Sequence, residues 1–365
     1  EIVNYNIEAL WAVPQIDGHH GKSFVDYQND VTAEDVALAH RENFISVEHL
    51  KRYTTLGMGT DQGRTSNVNG LALMAGLRNE DIPAVGTTTF RPPCSPMTLG
   101  AVAGSNAHEC LSLTRKTPMH HLHAAAGALF APAGYWLRAQ CYLKPGEPME
   151  RAIFREVHNV RNNVGIIDIS TLGKIDLQGR DIVEFLNRVY TNGYTNLPIG
   201  KSRYGVMLRE DGFVLDDGTV TRIGKNRFLL TTTTAQAGNV MTHLEKLSQV
   251  HWPDLDVSMT SVTDDWAGIA IAGPLSRELL TRISSDVDLS NTSCPFLAYR
   301  ECRIFDYPTR LFRISFSGEL GYEINVPSGY GADFWQNILQ VGSDLDIAPY
   351  GTEAMNILRI EKGHV

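Results

Sequence analysis

The apolar and polar positions of the chain fall into separate rhythms. Phe24-Val25-Asp26 is a short extended run ahead of Asn29-Asp30, and reads as the last strand of a domain that begins upstream. Thr32 to His40 reads as a helix, with Val36 and Leu38 apolar and Glu34 near its start, and Val47 to Tyr53 reads as a second. A glycine-rich stretch follows, Gly57-Met58-Gly59-Thr60-Asp61-Gln62-Gly63. A dinucleotide loop needs G-x-G-x-x-G between a strand and a helix, so that the helix N-terminus meets the pyrophosphate. Here the spacing is G-x-G-x-x-x-G and the preceding segment reads helical, so a helix-terminating loop is expected. Residues 78–118 carry Pro83, Pro92, Pro93, Pro96 and Pro118 among scattered Gly and Asn, which predicts a linker with short helices that wraps another surface.

From about Thr117 the rhythm becomes that of a compact α+β fold. Met149, Ile153, Val157 and Val160 mark an amphipathic helix. Ile166 to Leu177 alternates like a strand pair, and Ile182, Phe185, Leu186, Val189 and Tyr190 share one helix face. Tyr204–Leu208 and Phe213–Asp217 flank Asp211-Gly212, a hairpin signal, and Arg227–Thr233 closes this half. The order then recurs in outline. Trp266–Ala272 is a strand, Gly273-Pro274 a turn and Leu275–Ile283 a helix. Strands at Leu311–Phe316 and Tyr322–Val326 follow, then a helix carrying Phe334, Ile338 and Val341. Strand–helix–strand–strand, twice over, resembles a pair of split βαβ units.

The 365 residues suggest two or three domains, and 43% hydrophobic with 20% charged residues is ordinary globular composition. The longest apolar run, Leu71–Leu77, is far too short to span a membrane. A net charge of −9 gives no electrostatic reason to bind nucleic acid. The five cysteines, Cys94, Cys110, Cys141, Cys294 and Cys302, are an odd count without a C-x-x-C, which argues against a disulfide framework and a four-cysteine metal site. A reducing, cytoplasmic compartment is expected. His121 and His123 are two apart, on different helix faces, and no Glu or Cys lies among them and His120, so rim histidines rather than metal ligands are expected. Glu1 at one end and the helix-like Asn356–Val365 at the other suggest an internal segment of a larger protein.

Asp216-Asp217 is the sharpest candidate for chemistry. Side chains alternate along a strand, so Phe213, Leu215 and Asp217 share a face and Asp216 points the other way. If the bulky face is the core face, Asp217 is the inward carboxylate, and it either caps local backbone or awaits a ligand amine. On the second half Tyr322, Ile324 and Val326 share a face, leaving Glu323 and Asn325 on the opposite one. A carboxylate there accepts two parallel N–H bonds, which suits a ring with an amidine-like edge such as a pterin or guanine. Tyr204, beside Arg203, is placed to stack on or donate to a ring, and Arg359 to meet an anionic tail.

Several motifs carry a resemblance. Thr117-Pro118-Met119, Gly127–Phe130, Arg161–Ser170, Arg203-Tyr204, Glu210–Gly212, Leu215–Asp217, Ala272–Pro274, Ser317–Glu323 and Leu358–Glu361 resemble the aminomethyltransferase (glycine-cleavage T-protein) family in order and spacing over 117–365. Residues 24–43, 46–67, 86–93 and 115–120 resemble the alpha subunits of heterotetrameric sarcosine oxidases. The resemblance implies an α+β fold class in three parts. Residues 1–30 would be the tail of a dinucleotide-binding domain, 31–116 a helical and linker segment, and 117–365 an aminomethyltransferase-type folate-binding domain of paired split βαβ-like halves without its C-terminal barrel. The glycine stretch is similar to helical iron–sulfur modules of related amine dehydrogenases, but Asp61 and Ser66 stand where those have cysteines, so no cluster is expected.

The resemblance also implies a reaction. A partner flavin oxidises sarcosine to a methylene-iminium of glycine. Tetrahydrofolate bound to this chain captures the carbon as 5,10-methylenetetrahydrofolate, and glycine leaves. By family position Asp217 would be catalytic, while Tyr204, Glu323, Arg359, Thr233 and Phe316 would contact folate. The last two stand where the family has Asn and Tyr. Implied partners are beta, gamma and delta subunits, and implied cofactors of the whole assembly are NAD, FAD and FMN. A stand-alone aminomethyltransferase and a non-catalytic folate-binding module are the alternatives.

Overall fold

The computed structural model describes residues 8–17, 21–92, 95, 97–105, 113–284 and 286–364. Cys94, Cys110, Pro93, Pro96 and both terminal residues therefore lie outside the described residues. The chain divides into two compact units between residues 112 and 113.

In the first unit, β1 (Phe24–Asp26) pairs antiparallel with β2 (Val31–Thr32). Thr32 then caps α1 (Ala33–Arg41): its hydroxyl accepts from the Asp35 amide, and the Asp35 carboxylate accepts from the Thr32 amide at 2.8 Å. The helices α2 (Val47–Thr54), α3 (Asn67–Arg78), α4 (Ile82–Val85) and α5 (Leu99–Ala103) follow. Val25, Val36, Leu50, Leu56 and Met74 form the core. The glycine-rich stretch ends α2, as expected. Its Gly57 amide donates to the buried Asp26 carboxylate at 2.8 Å, which ties the loop to β1.

The second unit opens with α6 (His120–Ala125), the hairpin β3 (Ala128–Ala133) and β4 (Trp136–Tyr142), and α7 (Met149–Asn162). Next come β5 (Gly165–Asp168), β6 (Gly173–Gln178), α8 (Ile182–Val189), β7 (Lys201–Leu208), β8 (Val214–Gly224), β9 (Arg227–Thr232), α9 (Ala237–Lys246) and β10 (Ser258–Ser261). The second half holds β11 (Trp266–Ala272), α10 (Ser276–Ile283), β12 (Tyr299–Ile304), β13 (Tyr307–Phe312), β14 (Gly321–Pro327), α11 (Gly331–Val341), β15 (Ala348–Pro349) and α12 (Thr352–Glu361).

These strands make a five-stranded sheet in the order β10-β6-β9-β8-β7 and a six-stranded sheet in the order β12-β13-β14-β11-β5-β15. All neighbours are antiparallel except β15 and β5. The strand–helix–strand–strand repeat is present as β6-α8-β7-β8 and β11-α10-β12-β13. Ile166–Leu177 is not a strand pair, however. β5 joins the second sheet and β6 the first, so the chain crosses between layers at Ile169–Leu172. All four residues of β5 are buried because helices cover its outer side, which removes the alternation a half-exposed strand would show. The strand expected at Leu311–Phe316 lies earlier, at Tyr307–Phe312, paired with β12.

Each sheet has its own core. Phe185, Leu186, Met207, Val220, Phe228 and Leu230 pack one face of the first sheet against α8 and α9. Ile269, Ile271, Tyr322, Ile324, Val326 and Phe334 pack one face of the second against α10 and α11. The other two faces turn toward each other, where Leu229 of β9 meets Tyr299 and Phe312 in a small buried cluster.

Candidate functional site between the two sheets

Strand register decides which side chains reach the inter-sheet side. Directly paired residues point to the same face. Leu229 is on that side, and therefore so is Thr231. Lys174 pairs with Thr231, and Tyr204 pairs with Thr219, whose hydroxyl lies 2.6 Å from that of Thr231. Lys174, Thr231, Thr219 and Tyr204 thus form a polar row across four strands. On the facing sheet Phe312 pairs with Glu323, so Glu323 points back toward the row. Asn325, two residues on, shares its face.

Asp217 closes the row. Its carboxylate accepts from the Tyr204 hydroxyl at 2.9 Å, and Tyr204 is itself 50% exposed. Burial, with help from this bond, pushes the Tyr204 phenol up to about 12, so it remains a donor at neutral pH. Phe213 is 68% exposed and Asp216 only 3%, so the bulky side is not the core side. A bulge between the Met207–Asp216 and Leu208–Val214 pairs shifts the parity upstream of Asp216. Asp216 faces the first sheet's core with Met207, and Asp217 faces the second sheet. The buried Asp216 accepts from the Thr233 hydroxyl at 2.6 Å and from the Thr233 amide at 3.2 Å, and its burial raises its pKa. The Thr233 hydroxyl is thereby engaged with Asp216.

Glu323 is half-buried, and no described residue hydrogen-bonds its carboxylate. Burial pushes its pKa up to about 7, opposed by the field of Lys174. The Asn325 amide oxygen beside it is buried and also lacks a partner. A buried acceptor left unsatisfied beside a half-buried, unpartnered carboxylate is costly unless a donor arrives. Lys174 is fully enclosed, donating to the carbonyls of Ser170 and Leu172 at 3.0 Å each, and burial brings its pKa down to about 8. Arg359 and Phe316 form a separate group at the end of α12. The guanidinium sits 5.9 Å from the Phe316 ring centroid and donates to the His364 carbonyl, while Phe316 is 46% exposed. Arg203 turns outward to the Gly193 carbonyl and Asn196. Glu361 pairs with Arg161, which also holds Glu319.

Several polar residues escaped the sequence reading. His123 is buried, not a rim histidine. Its Nε2 lies 3.0 Å from Asp168 and its Nδ1 3.0 Å from the Tyr142 hydroxyl. Burial alone would raise Asp168, but His123 and the Ser170 amide outweigh it and hold the pKa below the usual range. Glu156, also buried, accepts from the Tyr142 and Gly351 amides at 2.7 and 2.8 Å, and burial still lifts it to about 7. Lys174 was visible in principle, as one of two charged residues alternating with Ile175 and Leu177 in a short strand. His121 is exposed and His120 partly buried against Phe130, so the three histidines do not converge. Among the described residues no group of three His, Cys, Asp or Glu side chains could hold a metal ion. Cys141, Cys294 and Cys302 are free and buried. Among the described residues no helix is long and apolar enough to cross a membrane.

A cavity of about 210 Å3 lies at the Trp266 end of the same face of the second sheet, lined by Trp136, Trp266, Ser170, Thr263, Asp264 and Lys116 among others.

The description of the GCVT N-terminal domain family matches residues 119–365, and that of the sarcosine oxidase A3 domain matches residues 20–105. The chain is 50% identical over 359 residues to the sarcosine oxidase subunit alpha of Rhizobium meliloti, covering 98% of this chain and 36% of that protein. The same-named subunit of Corynebacterium sp. (strain U-96) is 44% identical over 362 residues, covering 98% and 38%. The aminomethyltransferase of Thermotoga neapolitana is 29% identical over 251 residues, covering 69% and 65%. Among solved structures, the glycine cleavage system aminomethyltransferase T from Bartonella henselae superposes with a TM-score of 0.59 at 27% identity, covering 70% of this chain and 64% of that one. The chain spans little more than a third of the length of the sarcosine oxidase subunits it matches.

Proposed function

The chain belongs to the GCVT N-terminal domain family, and from that membership we propose that it is the one-carbon-transferring segment of a sarcosine oxidase alpha subunit. It binds tetrahydrofolate between its two sheets and directs the methylene-iminium product of sarcosine oxidation onto it. The products are 5,10-methylenetetrahydrofolate and glycine. The observation that carries this reading is the pair of unpartnered acceptors, Glu323 and Asn325, facing the Tyr204–Asp217 pair across the gap between sheets. A pterin offers what they lack: a ring edge with adjacent N–H donors.

Each side chain has a part in the reaction. Glu323 accepts from the pterin edge and fixes the ring's orientation. The folate nitrogen that attacks the methylene carbon becomes cationic and must shed a proton. Asp217 stabilises that charge and receives the proton, and the Tyr204 hydroxyl fixes its carboxylate in place. Arg359 and Phe316, at the end of α12, meet the anionic tail. Thr233 contributes through Asp216, by bracing the strand that carries Asp217. The flavin and NAD chemistry belongs to other parts of the assembly, with beta, gamma and delta subunits as partners and the cytoplasm as compartment.

Asp217→Asn in the assembled oxidase tests this reading. Sarcosine-dependent peroxide should persist while methylenetetrahydrofolate falls about 10²- to 10⁴-fold, the usual worth of a positioned acid–base group. Equal losses of both products would overturn the division of labour.

A further inference from the structure

We propose that Lys174 is a positioning residue for the folate site: it holds Glu323 as a carboxylate, the only form in which both oxygens accept from a pterin edge. The inference rests on the folate reading above. Its geometric basis is independent of family. Lys174 pairs with Thr231 on the inter-sheet face of the first sheet, and Glu323 pairs with Phe312 on the facing surface of the second. The buried cluster of Leu229, Tyr299 and Phe312 brings those two surfaces together.

The surrounding charges leave Glu323 as the anion in need of this cation. Lys174 also feels Asp168 and Asp264. Asp168 already has His123 and the Ser170 amide, and Asp264 has Arg115. On the same strand as Lys174, Asp176 is held by Arg227. From the helical side, Glu156 is satisfied by two amides, and Arg359 turns to the His364 carbonyl. Tyr350 is neutral, with its phenol pushed well up by burial. Arg310, across from Asn325, lies over the Trp266 ring, and the charge of Arg138 bears on Asp168 and Tyr350. Lys174 is the cation whose field lowers the Glu323 pKa, against the burial that raises it to about 7. Removing that field leaves desolvation unopposed, and the acid then stays protonated at neutral pH.

The test is tetrahydrofolate affinity against pH, from 6 to about 9 in line with an opposing-charge shift of one to three units. It compares the full-length protein in its assembled complex with Lys174→Met, Lys174→Arg, Glu323→Gln and the double variant Lys174→Met/Glu323→Gln. Wild-type affinity should fall as pH drops through the Glu323 midpoint. Lys174→Met should move that midpoint up by roughly one unit or more, weakening binding at pH 7 by about tenfold. Lys174→Arg, which keeps the charge, should retain the wild-type midpoint. Glu323→Gln should abolish the pH step, and adding Lys174→Met to it should change affinity less than about twofold. An unmoved midpoint in Lys174→Met, an equal shift in Lys174→Arg, or equal weakening with and without Glu323 would overturn the proposal while leaving the folate reading intact. A wild-type protein that does not bind tetrahydrofolate would overturn the folate reading itself.

Discussion

At the scale of single residues, the site depends on acids whose surroundings differ. Asp217 is bonded to a phenol, Glu323 is half-buried and unpartnered, and Asp216 is taken up by Thr233. Glu323→Gln swaps one acceptor oxygen for a donor that meets the pterin's own donors. A charge-assisted hydrogen bond contributes ~1.5–3 kcal/mol, so tetrahydrofolate affinity should fall about ten- to a hundredfold by equilibrium binding. Glu156→Gln carries a different expectation. Both its oxygens accept backbone amides, so the substitution strands one of them and should lower stability by about 1–3 kcal/mol, read by denaturant unfolding with catalysis otherwise unchanged. Motif singled out Asp217 and Glu323 as candidates, and alternation placed Glu323 opposite Tyr322 and Ile324. Neither revealed which neighbour each would meet. Asp216 and Asp217 look alike in a hairpin arm until the bulge beside Met207 decides which one enters the core. His123 and Lys174 were hidden for a related reason: both are satisfied by groups distant in sequence or by backbone carbonyls, and neither leaves a motif.

At the scale of elements, β8 is the strand on which the proposal turns. It pairs with β7 on one side and β9 on the other, and it carries Asp217 immediately before Gly218. A Cβ at Gly218 would lie 1.9 Å from the Thr231 carbonyl oxygen, so the ladder to β9 must move to admit it. Gly218→Ala should therefore cost about 1–3 kcal/mol of stability and lower the transfer rate together, measured by thermal melting beside product analysis. The hairpin itself was plain from Asp211-Gly212 between alternating runs, as were α1, α2, α7 and α8 from their apolar faces. β5 was misread as part of a pair because a strand covered on both faces keeps no period of two. β12 and β10 were missed because their polar residues mask the alternation; β12 alternates buried Tyr299, Cys302 and Ile304 with Arg and Glu only imperfectly.

For the molecule as a whole, the repeat of strand, helix and two strands was legible, while the exchange of β5 into the second sheet was not, since it depends on pairings far apart in the chain. That exchange creates the two facing surfaces, and burial of charge between them has a thermodynamic signature. The folded-state pKa of Glu323, about 7, lies above its unfolded value of 4.5, so its contribution to stability is fully present below pH 4.5 and is lost as pH rises to about 7. Lys174 is depressed from 10.5 to about 8, so its folded state binds fewer protons and stability recovers between about pH 8 and 10.5. Melting temperature across pH for the wild type minus that for Glu323→Gln should show the first of these losses and flatten above pH 7. The decisive measurement is a structure of the assembled protein with a bound reduced folate. The pterin should lie between the sheets, with its donor edge on Glu323 and its reactive nitrogen beside Asp217. A pterin seated instead between Trp136 and Trp266, with Glu323 still unpartnered, would contradict the proposed site.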